Sequence, residues 1–253
     1  MMKRILLSAF ILLAAGTPAN AEPTEIVVRV ISEDAKFIGD SMGGASVVLR
    51  AAQSGRVLAR GKTSGGTGNT ALIMQANGRS PVISTPDAAA FITQVDINEP
   101  TLIDLEVTGP DARPGSQIRI VSQRWVMPGQ PVNIGDGWVV ELPGLSISPT
   151  ASAVRDSAAD GTRAFTVSAK VELLCGCPIT PGGVWDAKDY QVTASIWQHG
   201  RRVSEFPLQF TEAPGGFAGR IVLPVKGKVR MFIHALNVVT GNSGVAKLLA
   251  EGK

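Results

Sequence analysis

Gly and Pro punctuate this chain every ten or so residues, and no long helical periodicity runs between them. The 28 Gly and 16 Pro recur throughout its 253 residues. Between them sit short runs rich in Val, Ile and Thr, bounded by turn residues at about ten-residue spacing. Such runs bury their apolar faces by packing sheet on sheet or by closing a sheet on itself. The hydrophobic fraction of 44% supplies a core and excludes wholesale disorder. The pattern predicts an all-β fold.

The strands fall into two blocks. Glu25 to Val30 reads as the first strand, and Ala45 to Arg50 with Arg56 to Lys62 as a hairpin turning at Gln53-Ser54-Gly55. Phe91 to Ile97, Thr101 to Val107, Ile118 to Trp125 and Trp138 to Leu142 complete the first block, and Pro86 to Ala90 reads as one helical turn. Residues 146–163 lose all periodicity and are rich in Ser, which predicts a linker. The second block holds strands at Phe165 to Leu174, Tyr190 to His199, Val203 to Phe210, Gly219 to Val225 and Val229 to Val239. Gly200-Arg201-Arg202 and Lys226-Gly227-Lys228 read as its tight turns, and Val245 to Glu251 as a frayed helical tail or nothing regular. The expected division is 22–145 for the first domain, 164–240 for the second and 241–253 for a tail.

The N-terminus sets the expected compartment. Lys3 and Arg4 precede an unbroken apolar and small run from Ile5 to Ala15, and Ala19-Asn20-Ala21 supplies the small-x-small pattern of a cleavage site. This predicts a signal peptide over residues 1–21, cleavage after Ala21, and a periplasmic or secreted protein. The apolar run is too short to span a bilayer, and no second one follows, so the mature chain is expected to have no membrane span. The formal net charge is +3, of which the leader holds two, leaving +1. With no Lys/Arg cluster, nothing favours nucleic-acid binding.

Glu25 to Lys62 combines an opening strand, Gly43-Gly44, a Val47-Val48-Leu49 strand and a hairpin centred on Gly55. In this layout it resembles the carboxypeptidase-regulatory-like family of secreted β-modules. Tyr190 to Val239 resembles small periplasmic β-sandwich modules that accompany membrane or redox complexes. These resemblances imply two antiparallel Ig-like or transthyretin-like β-sandwich domains. They also imply an accessory or adhesive role toward another envelope component, with no shared catalytic residues.

Cys175-Gly176-Cys177 is the most chemically pointed motif. Phe165, Val167, Ala169, Val171 and Leu173 alternate with polar residues, and the same register carries Cys175 and Cys177 to the apolar face. In an exported chain, a disulfide is the leading reading. Same-face neighbours on a strand lie about 6.5–7 Å apart, at the edge of what a disulfide spans. Gly176 would let the chain bend to close it, and so short a ring predicts an easily reduced bond. Thiol exchange and Cu(I) binding by paired thiolates are the alternatives. Copper would need more ligands, yet His199 and His234 have no metal-ligand spacing, and Met42, Met74 and Met127 are scattered. No cofactor or metal residue is assigned.

Gly39-Asp40-Ser41-Met42-Gly43 matches G-x-S-x-G and resembles the serine turn of α/β-hydrolases. Only a short mature stretch precedes Ser41, too little for the parallel sheet that such a turn needs, so no catalytic residue is assigned. Its partners would be His199 or His234 with an Asp such as Asp186 or Asp189, among which spacing does not choose. Gly61-Lys62-Thr63 resembles the end of a phosphate loop, but Arg56 occupies the required Gly position. The remaining candidates are binding loops. Ser64 to Thr70, with Ser64, Gly66, Thr67 and Asn69, reads as a flexible loop, and Pro178 to Lys188 presents Trp185 and Asp186. Trp185 is either a contact point or a lid on the core edge. The expected function is an exported, non-enzymatic binding or accessory module. The alternative is periplasmic thiol redox or copper handling at Cys175 and Cys177.

Overall fold

The computed structural model describes residues 21–153, 163–223 and 229–250. Its strands are β1 (Glu22–Ser32), β2 (Ser46–Ala51), β3 (Val57–Lys62), β4 (Phe91–Ile97), β5 (Thr101–Gly109), β6 (Ile118–Val126) and β7 (Trp138–Leu142) in the first half. The second half holds β8 (Leu145–Ala153), β9 (Arg163–Leu173), β10 (Tyr190–Gln198), β11 (Arg201–Phe210), β12 (Gly216–Leu223), β13 (Val229–Asn237) and β14 (Ser243–Ala250). Residues 1–20 of the expected leader, residues 154–162, residues 224–228 with the Lys226-Gly227-Lys228 turn, and the last three residues lie outside the described residues.

Two sheets build the first half, in the orders β4-β1-β7 and β3-β2-β5-β6. They enclose one core. Ile26, Val28, Val30 and Val140 come from the first sheet, and Val47, Leu49, Leu105 and Val107 from the second. Alternation sets the inner face: β5 buries Ile103, Leu105 and Val107 while Asp104 and Glu106 look outward. One pairing departs from the expected antiparallel pattern, because β1 and β7 run parallel. A parallel pair needs a long crossover, and the chain between β1 and β7 supplies it.

The second half is a single sheet in the order β14-β13-β10-β11-β12-β9-β8. β11 and β12 share only Gln209↔Ala218 and Phe210↔Phe217, so the sheet turns a corner there. At the far edges β14 lies beside β8, and a Cβ on Gly244 would collide with the Leu145 carbonyl. The sheet is thus nearly closed around a second core of Val171, Leu173, Ile196, Met231 and Ile233.

Both closing strands lie where the sequence predicts irregular chain. β8 occupies the start of the expected linker, and β14 the expected tail. Leu145 and Ile147 face the core, but Pro149 and Ala151 follow in step and are too small or too rigid to sustain the signal. In β14, Gly244 and Ala246 blur the alternation in the same way. Two local features also differ. The β10–β11 turn is His199-Gly200, in left-handed conformation with φ of 48° and 81°, and Arg201 and Arg202 already belong to β11. The helical turn lies at α1 (Thr70–Met74), capped by Asn69, and not at Pro86 to Ala90.

Candidate functional site

The segment after β1 organises the site. Asp34 adopts a left-handed φ of 57°, which turns the chain sharply between Ser32 and Lys36. The turn delivers Ala35 into the second core, Phe37 into a small cluster with Ile73, Ala88 and Ala89, and Ile38 and Met42 into the first core. In exchange, Leu174 from the second half is fully buried in the first core. Its N–H donates to Ser32 Oγ at 3.1 Å. Asn242 completes the joint: its Oδ1 accepts the Gly144 N–H at 2.9 Å, and its Nδ2 donates to the Glu33 carbonyl at 3.2 Å. Arg113 reaches across to the buried Glu172 carboxylate at 3.4 Å.

Cys175 and Cys177 lie at this joint, at disulfide distance, with Cα atoms 5.5 Å apart. Gly176 takes φ +79°, the left-handed bend that brings the two ends together. Both side chains face the second core, only 1% and 6% exposed. The Gly176 backbone packs on Met42, and Ser41 Oγ donates to the Cys175 carbonyl at 3.4 Å. The two motifs singled out in the sequence therefore touch each other. Ser41 sits on a short 3-10 turn, Asp40–Met42. Among the described residues, no hydrogen bond joins it to a histidine. His234 lies on the outer face of β13 and His199 in its turn. Among the described residues, no three His, Cys, Asp or Glu side chains gather as a metal-binding group.

The two candidate loops brace opposite sides of the same segment. Ser64 and Gly66 bridge to Ala90 and Ala88, and the Thr67 carbonyl accepts the Phe37 N–H. Asn69 Oδ1 accepts the Leu72 N–H and starts α1. This loop is tied to its neighbours by backbone hydrogen bonds along its length, unlike the free loop expected. Trp185 packs half-buried against the second core and donates Nε1–H to the Asp34 carbonyl at 2.8 Å. Asp186 pairs with Lys188 at 2.9 Å, and the hydrogen bond from Lys188 holds its carboxyl below the usual range.

Beside Asp34, the outer strands β6 and β7 leave a cleft of about 830 Å³ between the two sheets of the first half. Trp138 forms part of its floor, with Nε1–H donating to Ser122 Oγ across the gap at 3.4 Å. Val82 and Ile134 are left 56% and 86% exposed on its walls, large apolar surface that a solvated rim does not need. Arg79 and Arg124 line it together with Asp34 and Glu141. Burial raises the Glu141 carboxyl above its ordinary value, and the negative charges of Glu33 and Asp34 add to the rise. Asp136 has the opposite balance. Burial pushes it up, but hydrogen bonds from Ser84 and Ile83 and the Arg29 guanidinium outweigh that and hold it low. Its carboxylate accepts the Ile83 and Ser84 N–H groups at 3.0 and 2.8 Å, which fixes one wall of the cleft.

None of the charged cleft residues stood out in the sequence, because four distant segments contribute them. The one available signal is Gly135-Asp136-Gly137, a tight turn that presents a carboxylate. Mixed charge beside exposed aliphatic groups suits recognition of a chain segment carrying both. Among the described residues, no helix is long and apolar enough to cross a membrane. A scan against protein-family models finds no match, and no curated protein matches the chain.

Proposed function

We propose that this chain is an exported, non-enzymatic accessory protein that binds another component of the cell envelope through the cleft between β6 and β7. The observation that carries this reading is the cleft itself: two outer strands, exposed Val82 and Ile134, and charges of both signs, all held on braced backbone. Outer strands offer unpaired backbone groups, and a partner's extended segment can add to them while its side chains enter the cleft. Residues 22–145 are read as a sandwich of the Ig-like or transthyretin-like type. The second half serves as the support that locks the Asp34 turn in place through Trp185 and Asn242.

A photo-crosslinking amino acid at Ile134 tests the proposal in intact cells. A discrete envelope adduct is expected from position 134, and none from Val222, exposed on β12 of the second half. Equal adduct patterns from both positions, or none from Ile134, would remove the cleft as the binding surface.

A further inference from the structure

The outer face of the second half carries a second surface, which shares no lining residue with the cleft. Strand register arranges it as a grid. Thr193 stands opposite His234, Ser195 opposite Phe232 and Trp197 opposite Arg230. On the flanks, Arg202 and Glu205 face β10 from β11, while Val245 and Lys247 face β13 from β14. The inner residues of these strands, such as Ile196 and Ile233, already fill the core. Trp197 and Phe232 are therefore large rings on the face that water normally covers. They meet edge to face, with centroids 6.2 Å apart, and Trp197 Nε1–H is held by Ser195 Oγ at 2.9 Å. Side chains from β10, β11, β13 and β14 enclose a recess of about 480 Å³ around them.

Charge selects the occupant. Arg202 pairs with Glu205, which cancels that carboxylate. Arg230 and Lys247 are exposed and form no ion pair among those described. The recess is therefore aromatic at its centre and cationic at its rim. We propose that it binds an acidic polysaccharide, a chain of uronic-acid rings. The apolar C–H face of a pyranose ring rests on Trp197, its carboxylate pairs with Arg230, and the carboxylate of a neighbouring ring pairs with Lys247. An anionic bilayer is a poorer match, because interfacial binding uses apolar groups that project, and these rings sit in a recess. Single-stranded nucleic acid also stacks on aromatic rings but calls for a longer basic track than two free cations provide.

Binding of polygalacturonate to the mature protein at low salt tests this, with dextran, an oligothymidylate and anionic phospholipid vesicles as parallel probes. Wild type should bind polygalacturonate and none of the other three. Arg230→Ala should weaken binding by about tenfold, the effect of losing one charge-assisted hydrogen bond. Trp197→Ala should abolish it. Arg230 is exposed, so its variant reports on binding even if Trp197→Ala fails to fold. Ile134→Asp in the cleft should bind as wild type does, which separates this surface from the proposed envelope-binding one. Failure of wild type to bind polygalacturonate would overturn the proposal. So would equal affinity for dextran, preference for oligothymidylate or vesicles, or an unchanged affinity in Arg230→Ala.

Discussion

Asn242 offers the sharpest test of how the two halves are joined. It is 3% exposed and uses both ends of its amide, accepting from Gly144 N–H and donating to the Glu33 carbonyl. Asn242→Ala strands the buried Gly144 N–H, which costs about 1–3 kcal/mol, and removes a second, partly buried bond that contributes about 1 kcal/mol. The expected loss is roughly 2–4 kcal/mol. For a chain of this length each kcal/mol lowers the melting temperature by about 2–4 °C, so the variant should melt roughly 4–16 °C lower by circular dichroism. Asn242→Asp adds a pH signature. One carboxylate oxygen still accepts from Gly144, but the other meets the Glu33 carbonyl, acceptor against acceptor. Burial raises the folded pKa of such a group above its unfolded value of about 3.9. The variant should therefore approach wild-type stability below about pH 4 and lose it as pH rises through the raised value. An Asn242→Ala protein melting within about a degree of wild type would refute the reasoning, as would an Asp variant whose deficit does not change with pH.

Asp136→Asn should loosen the cleft wall, with faster amide exchange at Ile83 and Ser84 at neutral pH. Because the Asp136 carboxyl is held low, its contribution is present above the ordinary carboxylate range and fades as pH falls through the lowered value, so the difference between the proteins should shrink in acid. Glu141 has the opposite sign: its raised carboxyl favours the folded state in acid and loses that benefit as pH rises. Glu141→Gln should therefore melt at or above wild type at neutral pH, with the advantage gone in acid; a lower melting point at neutral pH would contradict this. Gly244→Ala should lower the melting point clearly, because its methyl meets the Leu145 carbonyl. Gly241→Ala points into open space and carries only the strain of its φ of 87°, so it should be the milder change by the same assay.

Most strands were legible because large branched residues alternate cleanly within them. Phe91–Ile97 and Trp138–Leu142 coincide with their predicted limits. Legibility failed where alternation rests on small residues, as with Ala151 in β8 and Gly244 and Ala246 in β14. Missing those two strands hid the near-closure of the second sheet, since they are its two edges. Cys175 and Cys177 were correctly placed on the apolar face by register alone. The cleft was not legible, because Asp34, Arg79, Arg124 and Glu141 come together only after strand pairing. Nor was the contact between Ser41 and Cys175, which bridges 134 positions of sequence.

The Glu33–Asn242 bond has a consequence for biosynthesis. It links positions 209 apart, and the residue at its early end sits directly after the first strand. Chains emerge N-terminus first, so Trp185 can reach the Asp34 carbonyl well before Asn242 is made, and the Glu33 carbonyl waits 209 positions for its own partner. Contacts of such long range slow folding and leave apolar surface exposed meanwhile. A truncation just before residue 242 should therefore yield a protease-sensitive chain in which even the earliest-synthesised strands are incompletely settled.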